Sequence, residues 1–145
     1  MSRLRIIYAT KTRHSQKLAQ AMGNALNIQA ENVSDNPVQG ETELLFLVGG
    51  IYGGESLPEL LEFVKNLDRE KIKSVVLVTS CASKKQGQDT VRKILEDKSI
   101  PVTDELICQG SFLLYKIGCP NKNDIQEAVN FAVRVSEGVR GVAEI

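Results

Sequence analysis

The sequence predicts an α/β fold, a doubly wound three-layer sandwich with a parallel sheet at its centre. Short apolar runs rich in β-branched residues alternate with segments whose apolar residues recur at helical spacing, and no internal repeat interrupts them. Such runs are typical of strands buried on both faces of a sheet. Alternating β and α units imply right-handed crossovers, so helices are expected to cover both faces.

Five strands and four helices are expected, in the order βαββαβαβα. Continuous apolar runs predict strands at 4–9, 44–50, 74–80 and 105–110, and the more polar run at 28–33 predicts an edge strand. Helical spacing predicts these inward positions: Leu18, Met22, Ala25, Leu26; Leu57, Leu60, Leu61, Val64; Val91, Ile94, Leu95; Ile125, Ala128, Val129 and Ala132.

Residues that favour helix ends predict two of the helix boundaries. Pro58 follows Ser56, which favours a helix start there. The last helix is expected to begin at an Asn cap near Asn123 and to stop at Glu137, because Gly138 follows.

Length and composition exclude several classes of function. A chain of 145 residues predicts one domain over 1–145, and equal numbers of basic and acidic residues, 18 each, give no reason to expect nucleic acid. Without a membrane-spanning run or a signal peptide, a cytoplasmic protein is expected. Cys81, Cys108 and Cys119 lack close pairing, so we expect buried, reduced thiols and no metal site.

Three loops are expected to meet where a doubly wound sheet binds ligands, beyond the carboxyl ends of its strands. They comprise residues 10–15, 50–57 and 80–88. The first places hydroxyl groups and backbone N–H groups at the start of a helix, an arrangement that binds anions. Helix capping by Thr12 or Ser15 is the alternative explanation. The position between a buried strand and a helix favours a ligand.

The run IIYATKTRHSQKLAQAM (6–22) resembles the FMN-phosphate signature of flavodoxins, in which an apolar run and an aromatic residue precede a Thr-x-Thr-Gly-x-Thr loop. The similarity extends to GGIYGG (49–54) and to GCPNKNDIQEAVNFA (118–132). This resemblance implies a short-chain flavodoxin-like sandwich of strand order 2-1-3-4-5, noncovalently bound FMN, and electron transfer.

The resemblance assigns the FMN phosphate to three hydroxyls and the N–H groups around them: Thr10, Lys11, Thr12, Arg13, His14 and Ser15. Arg13 departs from the family pattern, which has glycine at this position. A non-glycine residue at positive φ costs ~1–3 kcal/mol, comparable with one charged hydrogen bond, so weakened rather than abolished FMN binding is expected. Arg13 would either clash with the phosphate or pair with it, and the sequence leaves both open.

The other two loops would contact the flavin ring through Gly50, Ile51, Tyr52, Gly53, Gly54, Thr79, Ser80, Cys81, Ala82 and Gly87. By the resemblance, the peptide of Gly53 or Gly54 would change orientation when the flavin N5 gains a proton. Tyr52 would stack on the ring, or else pack against the sheet. The third loop has no aromatic residue, which would leave one ring face open or covered by small residues.

Charged residues near these loops predict further properties. Lys84 and Lys85 would make the second reduction potential less negative, unless they are a solvated surface pair. Glu55, Glu59 and Glu62 form an acidic stripe at helical spacing, which the resemblance makes a docking surface for a basic reductase or acceptor.

The leading prediction is an FMN-binding electron-transfer protein that shuttles single electrons between a reductase and an acceptor, without catalytic residues of its own. One alternative is a small FMN-dependent reductase of quinones or another acceptor. Another is a flavodoxin-like interaction module that has lost FMN through Arg13. A receiver domain is disfavoured, because the first strand ends in Tyr8, Ala9 and Thr10 without an acidic pair for Mg²⁺.

Overall fold

A computed structural model describes residues 2–11, 13–37, 40–51, 55–80, 87–108 and 122–144. The strands are β1 (Ser2–Tyr8), β2 (Ala30–Asn32), β3 (Thr42–Gly50), β4 (Val75–Ser80) and β5 (Val102–Ile107). The helices are α1 (His14–Leu26), α2 (Pro58–Lys65), α3 (Asp89–Asp97) and α4 (Lys122–Glu144), and a 3₁₀ turn (Val33–Asp35) precedes β3. This order of strands and α-helices confirms the predicted βαββαβαβα.

The five strands form one parallel sheet of order β2-β1-β3-β4-β5, which confirms the predicted fold class. β3 lies at the centre and is buried almost throughout, because it has neighbouring strands on both sides and helices on both faces. β2 is a half-buried edge of three residues, as its polar sequence predicted.

Side chains that alternate along the strands pack into two separate hydrophobic cores, one on each face of the sheet. Phe46 and Val78 point to one face and pack with Leu18 of α1 and Ala132 of α4. On the other face, side chains of β3 and β4 pack against Leu60 of α2 and against α3. Burying a Leu or Phe side chain stabilises the fold by ~1.5–3 kcal/mol, so both helical layers are held by the hydrophobic effect.

Two predicted element boundaries were wrong. β5 ends at Ile107 and begins at Val102, so the predicted run at 105–110 starts too late. An edge strand tolerates polar residues because part of it faces water, and Thr103 and Asp104 are exposed here. α4 continues through Gly138, since a glycine inside a helix costs only ~1 kcal/mol.

One side-chain prediction for the helices was also wrong. Ala25 is exposed, and Ala19 occupies the buried face of α1 beside Leu18 and Met22. Pro58 stands in the first turn of α2 as predicted, after the N-cap Leu57, which forms no side-chain bond. Among the helices described, none is long and apolar enough to cross a membrane.

Candidate functional site

The ends of β1, β3 and β4 lie side by side at one edge of the sheet. The N–H of Ala9 donates to the carbonyl of Val48 at 3.0 Å, and Gly50 is the register partner of Ser80. The three loops predicted to bind a ligand therefore leave the sheet from adjacent strands. Several of the residues assigned to them lie outside the described part of the chain: Thr12, Tyr52, Gly53, Gly54, Cys81, Ala82, Lys84 and Lys85.

Thr10, directly after β1, has a hydroxyl that is shielded from solvent and forms no hydrogen bond with the protein. Leaving a buried hydroxyl without a partner costs ~1–3 kcal/mol. A polar ligand at this edge would supply the missing bond. This orphaned oxygen is the observation that most directly supports a binding site at the start of α1.

Arg13 is the N-cap of α1 and adopts left-handed backbone angles, φ 69° and ψ 2°. Its carbonyl accepts a hydrogen bond from the N–H of Lys17 at 3.0 Å, which is the first bond of the helix. The N–H groups of the residues before Lys17 are therefore not bonded within the helix. A left-handed residue followed by helical ones turns successive N–H groups toward one concavity, which suits an anion. Arg13 thus adopts the glycine-like conformation of the resembled loop.

Ser15 lies in the first turn of α1, and its hydroxyl is 2.8 Å from that of Ser80 at the end of β4. Both side chains are buried, at 0% and 3% exposure. Ser15 lies inside α1, whose N-cap is Arg13 without a side-chain bond, so capping by Ser15 is wrong. Thr12, the other capping candidate, lies outside the described residues. A hydroxyl donates one hydrogen bond and accepts two, so the pair keeps capacity for a further partner.

Gln88, at the end of the third loop, was not singled out from the sequence. Its side-chain Nε2 donates to the carbonyl of Val78 at 2.8 Å and to that of Leu47 at 3.3 Å. A Cβ on Gly49 would be in ordinary contact with its Oε1 at 3.5 Å and would press on Cδ2 of Leu60 at 3.0 Å. Gln88 therefore fastens the end of the third loop to the backbones of β3 and β4.

No protein-family model matches this sequence, and no curated protein matches it. Solved structures that match nearly its full length at low identity include three flavodoxins. A flavodoxin from the domain Archaea has a TM-score of 0.69 and 12% identity, and covers 97% of this chain and 99% of its own. The chain has a flavodoxin-like fold.

The other two structures are also flavodoxins. A short-chain flavodoxin associated with a bacterial microcompartment has a TM-score of 0.59 and 13% identity, over 96% of this chain and 99% of its own. Flavodoxin 2 from Bacillus cereus has a TM-score of 0.58 and 14% identity, over 94% and 99%. At these identities the similarity concerns the fold alone.

In this flavodoxin-like chain, Gly87 is explained by a neighbour on β5. The carboxylate of Glu105 occupies the place where a Cβ of Gly87 would stand. Glu105 also accepts a hydrogen bond from Arg92 of α3 at 2.6 Å. A larger residue at position 87 would displace this ion pair, so Gly87 has a structural reason to be glycine whether or not it contacts a flavin.

The three residues of the acidic stripe are all exposed, and they differ in their hydrogen bonds. Glu62 accepts a long bond from the side-chain amide of Asn66 at 3.4 Å. Glu55 accepts hydrogen bonds from the hydroxyl of Thr90 and from the N–H of Ser56, each at 2.9 Å. Glu59 and Glu62 are exposed along α2. Glu55 therefore has a local structural role, and Glu59 and Glu62 supply the outward charge.

The side chain of Thr79, in β4, is buried in the protein and is not exposed where the ligand loops leave the sheet. It is fully buried, its hydroxyl has no hydrogen bond, and its carbonyl accepts the N–H of Cys108 at 2.8 Å. Cys108 is a buried free thiol, as predicted. Burial, and to a lesser degree the carboxylates of Glu127 and Asp124, raise the pKa of Cys108 to about 12, which keeps the thiol protonated and unreactive.

Proposed function

We propose that this chain binds FMN and transfers single electrons between a reductase and an acceptor. The observation that carries the proposal is the buried, unpartnered hydroxyl of Thr10 at the open N-terminus of α1. A phosphate there would accept the hydrogen bond that Thr10 lacks. Similarity of the fold to flavodoxins supports the same ligand.

The residues of the first loop fit a phosphate group. The N-terminal end of α1 carries a partial positive charge and N–H groups that favour an anion. Arg13 and Lys11 are exposed beside it, and residues 1–30 contain no acidic side chain. Thr10, Thr12 and the N–H groups up to Ser15 would together hold the phosphate.

The second and third loops would hold the flavin ring. Gly50 and Ser80 mark the points where these loops leave the sheet, and Gln88 fixes the far end of the third loop. When bound, FMN would supply a ring that accepts and releases electrons one or two at a time. Ile51 and Tyr52 would border the ring, and backbone groups of the third loop would contact its edge.

The partner surface is proposed on α2. Exposed carboxylates of Glu59 and Glu62 lie on the helix that follows the second loop. A basic reductase or acceptor would be steered to this surface, since complementary charge raises the rate of encounter. Replacing both with glutamine is expected to slow electron transfer to such a partner at low salt and to leave FMN affinity unchanged.

An anaerobic titration of the flavin-free protein with FMN tests the proposal, followed by reductive titration with a spectrum at each step. Tight binding and reduction in two separate one-electron steps support the carrier. A Thr10→Val variant, which keeps the shape and removes the hydroxyl, is expected to bind FMN about tenfold more weakly.

The same preparation separates the alternatives. Direct oxidation of NAD(P)H by the FMN-loaded protein would favour a flavin-dependent reductase over a carrier. Failure to bind FMN at millimolar concentration would overturn the proposal and favour an interaction module.

A further inference from the structure

Arg13 adopts its left-handed conformation at an unusual place. Among the described residues, the other non-glycine positions with positive φ are Asn27, Asn36 and Ser99, and all three lie at the C-terminal ends of helices. Left-handed residues are common there. Arg13 instead begins a helix, where an N-cap residue normally has extended angles and a short polar side chain.

Charge at Arg13 is not neutralised within the described structure. The ion pairs found among the described residues join Arg5 to Glu31 and Arg92 to Glu105, and Arg13 belongs to neither. Its side chain is exposed, beside the α1 N-terminus and three positions from the orphaned hydroxyl of Thr10. A helix N-terminus, a hydroxyl able to donate a hydrogen bond and an exposed cation therefore lie within five consecutive residues.

We infer that Arg13 is a specificity-determining residue, which makes the site discriminate in favour of flavins that carry a phosphate. The inference rests on the proposed function. A guanidinium forms bidentate, charge-assisted hydrogen bonds with phosphate and only weaker, single ones with a neutral ribityl hydroxyl. The pairing with phosphate would offset the strain of the left-handed backbone, so of the two roles that the sequence left open, pairing is selected over a clash.

Binding constants for FMN and riboflavin, measured by flavin fluorescence, test this inference on the full chain. Arg13→Gln removes the charge and keeps a long side chain in the same backbone conformation. It is expected to weaken FMN binding at least about tenfold and to leave riboflavin binding within about twofold. Lys17→Gln is the matched control, an exposed cation one helical turn further on, with an expected change below about threefold for either ligand.

Two further measurements sharpen the test. Raising the salt concentration is expected to weaken FMN binding by the native chain more than by Arg13→Gln, because salt screens exposed charges. Arg13→Gly relieves the backbone strain and removes the charge together. It is expected to bind FMN more weakly than the native chain, and tighter binding would overturn the inference.

The remaining outcomes separate this inference from the proposed function. Equal losses for FMN and riboflavin in Arg13→Gln, or equal losses in Arg13→Gln and Lys17→Gln, would overturn the role of Arg13 alone. So would equal affinities of the native chain for the two flavins. Absence of binding to either flavin would overturn the proposed function and this inference with it.

Discussion

The hydroxyl groups of Ser15 and Ser80 lie 2.8 Å apart and join the start of α1 to the end of β4 across 65 positions of the sequence. The helix reaches β4 by crossing the end of β3, which lies between β1 and β4. Gly50 ends β3 and shares a face with Val48, on the side where α1 packs. The bond therefore connects the first and third of the proposed ligand loops across the end of β3.

This bond predicts coupling between the two serines. Ser15→Ala and Ser80→Ala are each expected to lower the free energy of unfolding by about 1–2 kcal/mol, because each leaves the other hydroxyl buried without a partner. The double variant is expected to lose less than the sum of the single losses, by about 1 kcal/mol. Urea denaturation of the flavin-free proteins measures all four values. Strictly additive losses would contradict a direct bond.

Removing the hydroxyl of Thr79 is expected to change the free energy of unfolding in the opposite direction, because this hydroxyl is buried without a partner. Its side chain is fully buried, and its oxygen forms no hydrogen bond. Thr79→Val keeps the shape and removes the desolvated hydroxyl, so the free energy of unfolding is expected to stay the same or rise by about 1 kcal/mol. Chemical denaturation measures the change.

Thr42 provides the matched control on the sheet. It is also buried, but its hydroxyl donates to the carbonyl of Gly40 at 3.0 Å. Thr42→Val is therefore expected to cost about 1 kcal/mol. If Thr79→Val cost as much as Thr42→Val, the hydroxyl of Thr79 would have a partner, such as a bound water, and the prediction would be wrong.

Alanine substitutions at two glycines are expected to change the stability of the protein in opposite directions. Gly87→Ala would place its Cβ on the carboxylate of Glu105, which can move only by disturbing the pair with Arg92, so a loss of up to about 1 kcal/mol in the free energy of unfolding is expected. Gly138 lies in α4 with open space around its Cβ position. Gly138→Ala is expected to raise stability by up to about 1 kcal/mol. Thermal unfolding distinguishes the two, and equal effects would contradict both assignments.

The sequence predicted the sheet well, because buried parallel strands are continuous apolar runs whatever their partners. It failed where tertiary contacts override local preference, as at Gly138, where the helix continues, and at Asp104, where an edge strand accepts a charge. Local pattern identified the first loop. The resemblance to flavodoxins identified the departure at Arg13, and the positive φ that it implies for this residue is confirmed.

Contacts between distant positions could not be read from local pattern. Gln88 bonds to the carbonyl of Leu47, 41 positions earlier, and nothing in the run around it marks the amide as buried. The fit of Glu105 over Gly87 likewise depends on the register between β4 and β5. Such contacts can be predicted only once the order and register of the strands are known.

The buried thiol of Cys108 predicts how stability depends on alkaline pH. Its pKa rises from 9.0 to about 12 in the folded protein, chiefly through burial. Below pH 9 the thiol is protonated in both states, and its full contribution to stability is present. Between about pH 9 and 12 the unfolded chain loses this proton while the folded chain keeps it, so stability falls by up to about 1.4 kcal/mol per pH unit.

Comparison of the native chain with Cys108→Ala over pH 7 to 11 isolates this contribution. The variant is expected to be less stable at pH 7, because a cavity replaces the sulfur, but to lose less stability above pH 9, since other titrating groups are common to both proteins. Parallel pH profiles would contradict the raised pKa. With Cys81 and Cys119 replaced by serine, a thiol reagent at pH 8 is expected to react with Cys108 only at the rate at which the protein opens, because the sulfur is both protonated and inaccessible.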